Sequence, residues 1–202
     1  MTDLISEPRM RNDTRRNRSG LLKAVGEAVR ESPGELSMQN MAARAEIATA
    51  TAYRYFSSID DLLSAYVLNV VGELKAYSAT STKRGAELFD DVLAEWIRLI
   101  AEHGPVLVQL RSRSGFLKRL QAEDPVITTV VSAWDKPLRA VLKNWRIPDR
   151  FLPEAIFLLN VLIDPREVLD LQSSRQLSAE TIQQKLTAAL MGAVQGWVGS
   201  KE

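Results

Sequence analysis

Residues 37–56, SMQNMAARAEIATATAYRYF, contain two short stretches of helical periodicity separated by about three residues. Ser37 is a predicted N-cap of the first helix, and Glu46, Ile47 and Ala48 form the predicted turn. The side chains predicted to form the inner face of both helices are Met41, Ala45, Ile47, Ala52 and Phe56. Because Ala42 is small, the helices can cross closely, and the stretch predicts a helix-turn-helix.

The outer face of the same stretch carries hydroxyl, amide and guanidinium groups. In a DNA-binding helix-turn-helix the second helix lies in the major groove, where such groups reach base edges and phosphates. The side chains predicted to face DNA are Gln39, Thr49, Thr51, Tyr53, Arg54 and Tyr55. A helical hairpin that binds no DNA has the same spacing, so the spacing alone leaves both readings open.

Positive charge is concentrated before this motif. Over residues 9–23 there are six cations and one acid, Asp13. The net charge of the whole chain is only +1. A basic arm beside a nearly neutral body is typical of nucleic-acid contact, and a solvated tail is the alternative. Together with the neighbouring motif the arm favours DNA, and Arg15 and Arg16 are its predicted contacts.

Composition excludes several classes of protein. The chain has no cysteine and one histidine, His103, so thiolate and all-histidine metal sites are excluded and no cofactor is predicted. The longest uncharged apolar stretch, residues 155–163, is far shorter than the roughly 20 residues of a membrane span. The first twenty residues are polar and arginine-rich, unlike a secretory signal. The sequence therefore predicts a cytoplasmic protein without membrane contact.

Helical periodicity continues along the chain, and the predicted fold class is all-α. A long first helix is predicted over residues 14–31, and Asp60 and Asp61 begin the fourth helix, since acids suit its positive end. The small polar run at residues 78–82 marks a predicted junction between domains at 1–78 and 79–202. Later helices are predicted near 86–103, 105–121, 124–145, 151–172 and 178–198, with kinks or interruptions at Pro137 and Pro165.

The run MAARAEIATATAYRYFSSIDDLLSAY, residues 41–66, resembles the TetR family of transcriptional regulators. The resemblance covers roughly residues 14–75 and is closest at Thr51, Tyr53, Tyr55 and Phe56 and at the acids before Leu62. It implies an N-terminal helix-turn-helix domain followed by a helical effector-binding and dimerisation domain. It also implies a repressor that binds a palindromic operator as a homodimer and is released by a small molecule.

The resemblance assigns roles to the outer-face residues. Ser37 caps the second helix and touches a phosphate, Gln39 reads adenine, and Thr49 and Thr51 read base edges or thymine methyls. Tyr53 and Tyr55 donate to phosphates, and Arg44 and Arg54 are either contacts or solvated surface cations. The sequence departs from the family pattern twice, because Glu46 replaces the usual turn glycine and Ile59 replaces a lysine that opens the fourth helix.

Effector contacts are less well defined by the sequence. The candidate pocket walls are Trp96, His103, Phe116, Trp134, Trp145 and Phe157, and ordinary core packing is the alternative for each. His103 precedes Gly104 and Pro105 and is predicted to sit at the negative end of a helix. Residues 111–119 carry four cations and no acid, which suits either an entrance for an anionic effector or a solvated face.

The last predicted helix carries the candidate dimer interface. Leu186, Leu190 and Trp197 lie on one stripe, and Gly192 and Gly196 lie on another at a spacing of four. Glycine weakens a helix, so the pair indicates close approach by another backbone, from a second subunit or from the same chain.

An enzyme would need a nucleophile–base pair, phosphate loop or metal cluster, and none is apparent in the sequence. A helical protein–protein adaptor is the remaining alternative.

Overall fold

The structure is a computed structural model that describes residues 6–31, 36–109 and 115–199, with side chains described from residue 14 onward in these ranges. These residues form α-helices and one 3-10 turn and contain no strand, which confirms the all-α prediction. The helices are α1 Ser6–Glu31, α2 Met38–Arg44, α3 Thr49–Tyr55, α4 Ile59–Thr80, α5 Gly85–Gln109, α6 Phe116–Gln121, α7 Pro125–Asn144, α8 Leu152–Leu162, α9 Pro165–Ser173 and α10 Ala179–Gly199. None of the described helices is long and apolar enough to cross a bilayer.

Backbone contacts divide the chain into two units, Met1–Val67 and Leu68–Glu202. The division falls inside α4, whereas the polar composition places a junction at residues 78–82. In the N-terminal unit the apolar sides of α1, α2 and α3 pack together around fully buried Leu21 and Met41. Gly26 on α1 faces the Tyr66 ring of α4, whose hydroxyl oxygen would lie 3.1 Å from an added Cβ.

The C-terminal unit is built around α5, which packs against α7, α9 and α10. Aromatic side chains fill the contact between α5 and α7. Phe89 lies with its ring centroid 5.9 Å from that of Trp134 and 6.2 Å from that of Trp145. Helix α8 packs on α7 and α10, so the unit is a bundle in which α5 is the most enclosed helix.

Two helices of this bundle begin with the same Asp-Pro pair. Asp124 accepts hydrogen bonds from the amides of Val126 (2.9 Å) and Ile127 (3.2 Å) at the start of α7. Asp164 likewise accepts from the amide of Arg166 (2.9 Å) at the start of α9. Proline suits the first helical position because that residue has no intrahelical amide partner to lose.

The two prolines at which the sequence predicts kinks or interruptions have different outcomes. The interruption expected at Pro165 is confirmed, because α8 ends at Leu162 and α9 begins at Pro165. Pro137 causes no interruption, and α7 runs through it to Asn144.

The predicted break at Gly104 and Pro105 is wrong, since α5 continues to Gln109. Glycine serves a packing purpose here: a Cβ at Gly104 would lie 2.5 Å from the Leu169 Cδ1 atom on α9. A side chain at position 104 would therefore displace Leu169 from its place against α5. His103 is consequently a buried residue in the body of α5, not a residue at a helix C-terminus. Of the predicted helix 105–121, residues 110–114, including Arg111 and Arg113, lie outside the described part.

Trp96 fixes the break between α8 and α9, because its indole N–H donates to the Ile163 carbonyl over 3.2 Å. We expect Trp96→Phe to lower the free energy of unfolding by about 1–3 kcal/mol, since it leaves a buried carbonyl without its donor. Urea unfolding measures this loss. Trp145→Phe is the control, because no described residue accepts from that indole, and an equal loss in both variants would contradict the assigned role.

Candidate nucleic-acid interface

Helix α2 begins where the sequence predicts. Ser37 has extended backbone angles (φ −128°, ψ 153°), and its Oγ accepts from the Asn40 amide over 3.2 Å. The predicted N-cap is confirmed, and the serine side chain is exposed. Met38, Met41 and Ala42 are buried beneath it, so the cap lies at the surface edge of the motif.

The turn between α2 and α3 has the left-handed geometry that glycine favours, although Glu46 occupies it with a φ of 55°. The Glu46 amide donates to the Ala43 carbonyl (3.1 Å), and the Ile47 amide donates to the Ala42 carbonyl (3.0 Å). This pair of bonds is the Schellman arrangement that closes helix C-termini. The turn expected from the family therefore forms with a strained glutamate.

Relief of this strain gives a stability prediction. We expect Glu46→Gly to raise the free energy of unfolding by up to about 1 kcal/mol, because a left-handed residue with a Cβ costs roughly 1–2 kcal/mol. Greater freedom of glycine in the unfolded chain offsets part of that gain. The control is Ala43→Gly on the exposed side of α2, expected to cost about 1 kcal/mol in the same urea titration. Destabilisation by Glu46→Gly would show that the glutamate side chain makes a needed contact.

Helix α3 presents the side chains predicted to face DNA. Ala52 and, just after the helix, Phe56 are buried and fix α3 to the unit. Tyr53 is 53% exposed and Arg54 is exposed. Among the other predicted contacts, Gln39 is exposed, and Thr49, Thr51 and Tyr55 are half-buried. All six are accessible on the motif, and their contacts with bases or phosphates remain predictions.

Helix α1 adds cations to this unit. Arg15, Arg16 and Arg18 are exposed, and the Arg18 guanidinium carbon lies 5.0 Å from the Phe56 ring centroid. Arg44 differs from these residues, because it forms an ion pair with Glu31 of α1 (2.7 Å). Its charge is therefore partly neutralised within the unit, which supports a structural role more than DNA contact.

One contact of this site was not predicted from the sequence. Asn17 on α1 donates from its side-chain Nδ2 to the Tyr55 hydroxyl over 3.2 Å, and both side chains are half-buried. The two residues are 38 positions apart, and an isolated asparagine in a polar helix gives no signal of such a partner.

The start of α4 is already hydrogen-bonded. Ser58 Oγ accepts from the Asp61 amide over 3.1 Å, and the Ser57 hydroxyl donates to the Asp61 carboxylate. Ile59 is half-buried and brings no charge, while Asp60 and Asp61 are exposed acids. This helix end is therefore poorly suited to a phosphate, and the exposed cations available for one include Arg15, Arg16 and Arg18 on α1 and Arg54 on α3.

The candidate pocket residues are spread over the C-terminal bundle. Trp96 and Trp134 are buried by the core contacts described above, as is His103, and Phe116 on α6 is half-buried. A surface depression of about 460 Å³ lies elsewhere, between α5 and α10, and contains none of these four. Its lining is Asp90, Glu180, Gln183, Gln184, Thr187, Ala188 and Met191. The effector assignment of the aromatic residues stays a prediction.

The candidate interface residues of α10 divide into two groups. Leu186 and Leu190 are buried within the chain, so they contribute to its own core and are removed from the proposed dimer surface. Gly192, Gly196 and Trp197 are exposed. An added Cβ at either glycine would meet no atom of another described element within 4 Å, so none of the described helices packs against this side of α10.

Comparisons with known proteins agree with the described motif. The profile of the family described as bacterial regulatory proteins, tetR family, matches residues 21–66. The match includes α2 and α3 in full. No curated protein sequence gives a significant match.

Solved structures resemble the whole fold. The regulator FadR from Bacillus subtilis in complex with stearoyl-CoA is 16% identical, with a TM-score of 0.65 over 87% of this chain and 98% of that chain. A tetR-family transcriptional regulator from Streptomyces coelicolor is 20% identical, with a TM-score of 0.61 over 90% and 82%. A TetR-family regulator from a Rhodococcus species is 16% identical, with a TM-score of 0.63 over 88% and 98%. At these identities the likeness shows the fold alone, and the profile match shows that residues 21–66 form a helix-turn-helix DNA-binding domain of the tetR family of bacterial regulatory proteins.

Proposed function

We propose that this regulator is a repressor that binds a palindromic operator as a homodimer and is released by a small molecule. The observation that carries the proposal is an uncharged, partly exposed face on α8 and α10, in a chain that also has a DNA-binding motif. This face, called here the α8–α10 surface, consists of Phe157, Val161, Met191, Gly192, Gly196 and Trp197.

The absence of charge distinguishes the α8–α10 surface from an ordinary solvent face. Helix α8 contains one charged residue, Glu154, and α10 contains none after Lys185. Surface helices of globular proteins normally carry charged residues on the side that faces water. Interface cores are depleted of charge, so the composition of these two helices fits a surface covered by protein.

Exposed apolar side chains support the same conclusion. Val161 is 53% exposed, Trp197 49% and Met191 36%. The Trp197 ring lies 6.2 Å, centroid to centroid, from the Phe157 ring, so this aromatic pair bridges the two helices. Large apolar side chains that are partly exposed close to one another, as Trp197 and Phe157 are, are typical of contact sites.

A second copy of the chain is the occupant we propose for the α8–α10 surface. The open space at Gly192 and Gly196 allows another helix backbone to approach α10 closely. Two-fold symmetry brings the same surface of both chains together, which also matches the family pattern. A dimer reads a palindrome when its two recognition helices lie about one turn of duplex apart, roughly 34–36 Å, and we propose this spacing for the two copies of α3.

The effector part of the proposal is supported by the family pattern and by the similar fold of the regulator solved with stearoyl-CoA. Stearoyl-CoA is therefore the first probe, titrated into a complex of the protein with a fluorescent operator duplex. Release of the operator by micromolar stearoyl-CoA but not by free CoA would support an acyl thioester as the effector. If the protein stays bound to the operator, acyl thioesters are removed as the effector class.

We propose further that the protein acts in the cytoplasm, where bacterial operators are, and that it needs no catalysis or cofactor. A family of transcriptional regulators supports both statements. The alternative is a helical adaptor that binds only protein and therefore does not bind DNA.

Selection from a pool of randomised duplexes tests the proposal. The full chain is expected to enrich one sequence with two-fold symmetry whose half-sites lie about 10 base pairs apart. An adaptor would enrich no sequence. Enrichment of a single, unrepeated half-site would contradict binding as a dimer but would still support DNA binding.

A further inference from the structure

Two neighbouring residues of α1 contact the C-terminal end of α3. Asn17 Nδ2 donates to the Tyr55 hydroxyl oxygen over 3.2 Å, and the Arg18 guanidinium carbon lies 5.0 Å from the Phe56 ring centroid. Tyr55 and Phe56 are also consecutive, so two adjacent contacts fix this end of the recognition helix to α1.

The direction of the Asn17 bond determines what the Tyr55 hydroxyl can do. A phenol has one hydrogen to donate and an oxygen that accepts. Because the Asn17 amide donates to that oxygen, the phenolic hydrogen is left for another acceptor. Among the described residues none accepts it. The hydroxyl is thus available as a donor at the accessible side of α3.

The surroundings indicate the class of acceptor. Arg15, Arg16 and Arg18 are exposed on the same helix as Asn17, so the environment is positive. DNA phosphate oxygens accept hydrogen bonds, donate none, and are attracted by such cations.

From these observations we propose that Asn17 is a positioning residue for DNA binding, which directs the Tyr55 hydroxyl hydrogen to a backbone phosphate. Asn17 itself touches no DNA in this arrangement. The residue therefore acts through Tyr55, and its effect on affinity depends on the presence of the Tyr55 hydroxyl.

A double-mutant cycle on the full chain tests whether the effect of Asn17 on DNA affinity depends on the Tyr55 hydroxyl. The probes are a 30-base-pair duplex of mixed sequence and a duplex selected by the unmodified protein. Tyr55→Phe is expected to weaken binding to both about tenfold, since a hydrogen bond to a charged group is lost. Asn17→Ala is expected to weaken binding about threefold to tenfold, and the double variant is expected to bind as Tyr55→Phe does.

Reversal of the bond provides a second test. The Asn17→Asp carboxylate accepts the phenolic hydrogen, withdraws it from the phosphate and adds a negative charge, so this variant is expected to bind more weakly than Asn17→Ala. Asn17→Asp also keeps the side-chain size, so it supports the test if Asn17→Ala does not fold. Urea midpoints of all variants show whether the domain is intact.

Single methylphosphonate substitutions in the selected duplex identify the phosphate. With the unmodified protein one position in each half-site is expected to weaken binding, and this sensitivity is expected to disappear in Tyr55→Phe and to decrease in Asn17→Ala. A purely structural Asn17 would give losses that multiply with those of Tyr55→Phe. Three results would each overturn the proposal. They are losses of affinity that multiply in the double variant, an Asn17→Asp variant that binds DNA as tightly as the unmodified protein, and a phosphate sensitivity that remains in Tyr55→Phe.

Discussion

Gly192→Leu is expected to give a folded monomer that binds the operator at least about 100-fold more weakly than the unmodified protein. The reason is avidity. When the two DNA-binding domains of a dimer bind one operator, the second domain binds at a high effective concentration, which raises the overall affinity by a factor of about 10²–10⁴. A Cβ at this position meets no atom of another described element within 4 Å, so we expect the subunit to keep its fold with leucine there. It does occupy the space that we assign to a helix of the second subunit.

Sedimentation velocity at micromolar concentration measures the change in mass, and circular dichroism measures helix content. Gly72→Leu is the matched control, because Gly72 lies in helix α4 and its added Cβ also meets no atom within 4 Å. We expect this control to remain a dimer. A well-folded Gly192→Leu dimer with normal operator affinity would remove α10 from the interface.

Thr51→Ala and Gln39→Ala are each expected to cost about 1–3 kcal/mol in binding free energy on the selected operator, and much less on mixed-sequence DNA. Both side chains are accessible on the motif, and contacts to base edges distinguish one sequence from another. Arg16→Ala is expected to weaken binding to both duplexes and to reduce the salt dependence by about one counterion, because a phosphate contact carries no sequence information.

Fluorescence anisotropy with the two duplexes at several salt concentrations separates these effects. Ser64→Ala, an exposed serine on α4, is the control for loss of a surface hydroxyl. Equal losses on operator and mixed-sequence DNA for Thr51→Ala would place Thr51 on the phosphate backbone and contradict its assignment to bases.

Local chemistry made the N-terminal motif predictable. A serine before an apolar periodic run determines the start of α2, and Ser37 forms that cap with its neighbour three residues on. The left-handed turn at Glu46 follows from the family resemblance, since glutamate alone gives no such signal.

Contacts between distant residues explain what the sequence did not predict. Gly104 and Pro105 normally end a helix, but α5 continues through both, and the glycine is explained instead by Leu169, 65 positions later, which occupies the space beside it. The stripe of Leu186 and Leu190 is apolar whether it faces a partner or its own core, and the structure buries both residues in the core. The partner of Asn17 is likewise fixed only by the packing of α1 on α3.

Protection of guanine N7 atoms on the selected operator, measured together with the mass of the complex, tests the central claim most directly. A symmetric dimer that inserts α3 is expected to protect two major-groove segments about 10 base pairs apart and to sediment with two chains on one duplex. Protection of a single segment by one chain, or an unprotected major groove in a formed complex, would contradict this account.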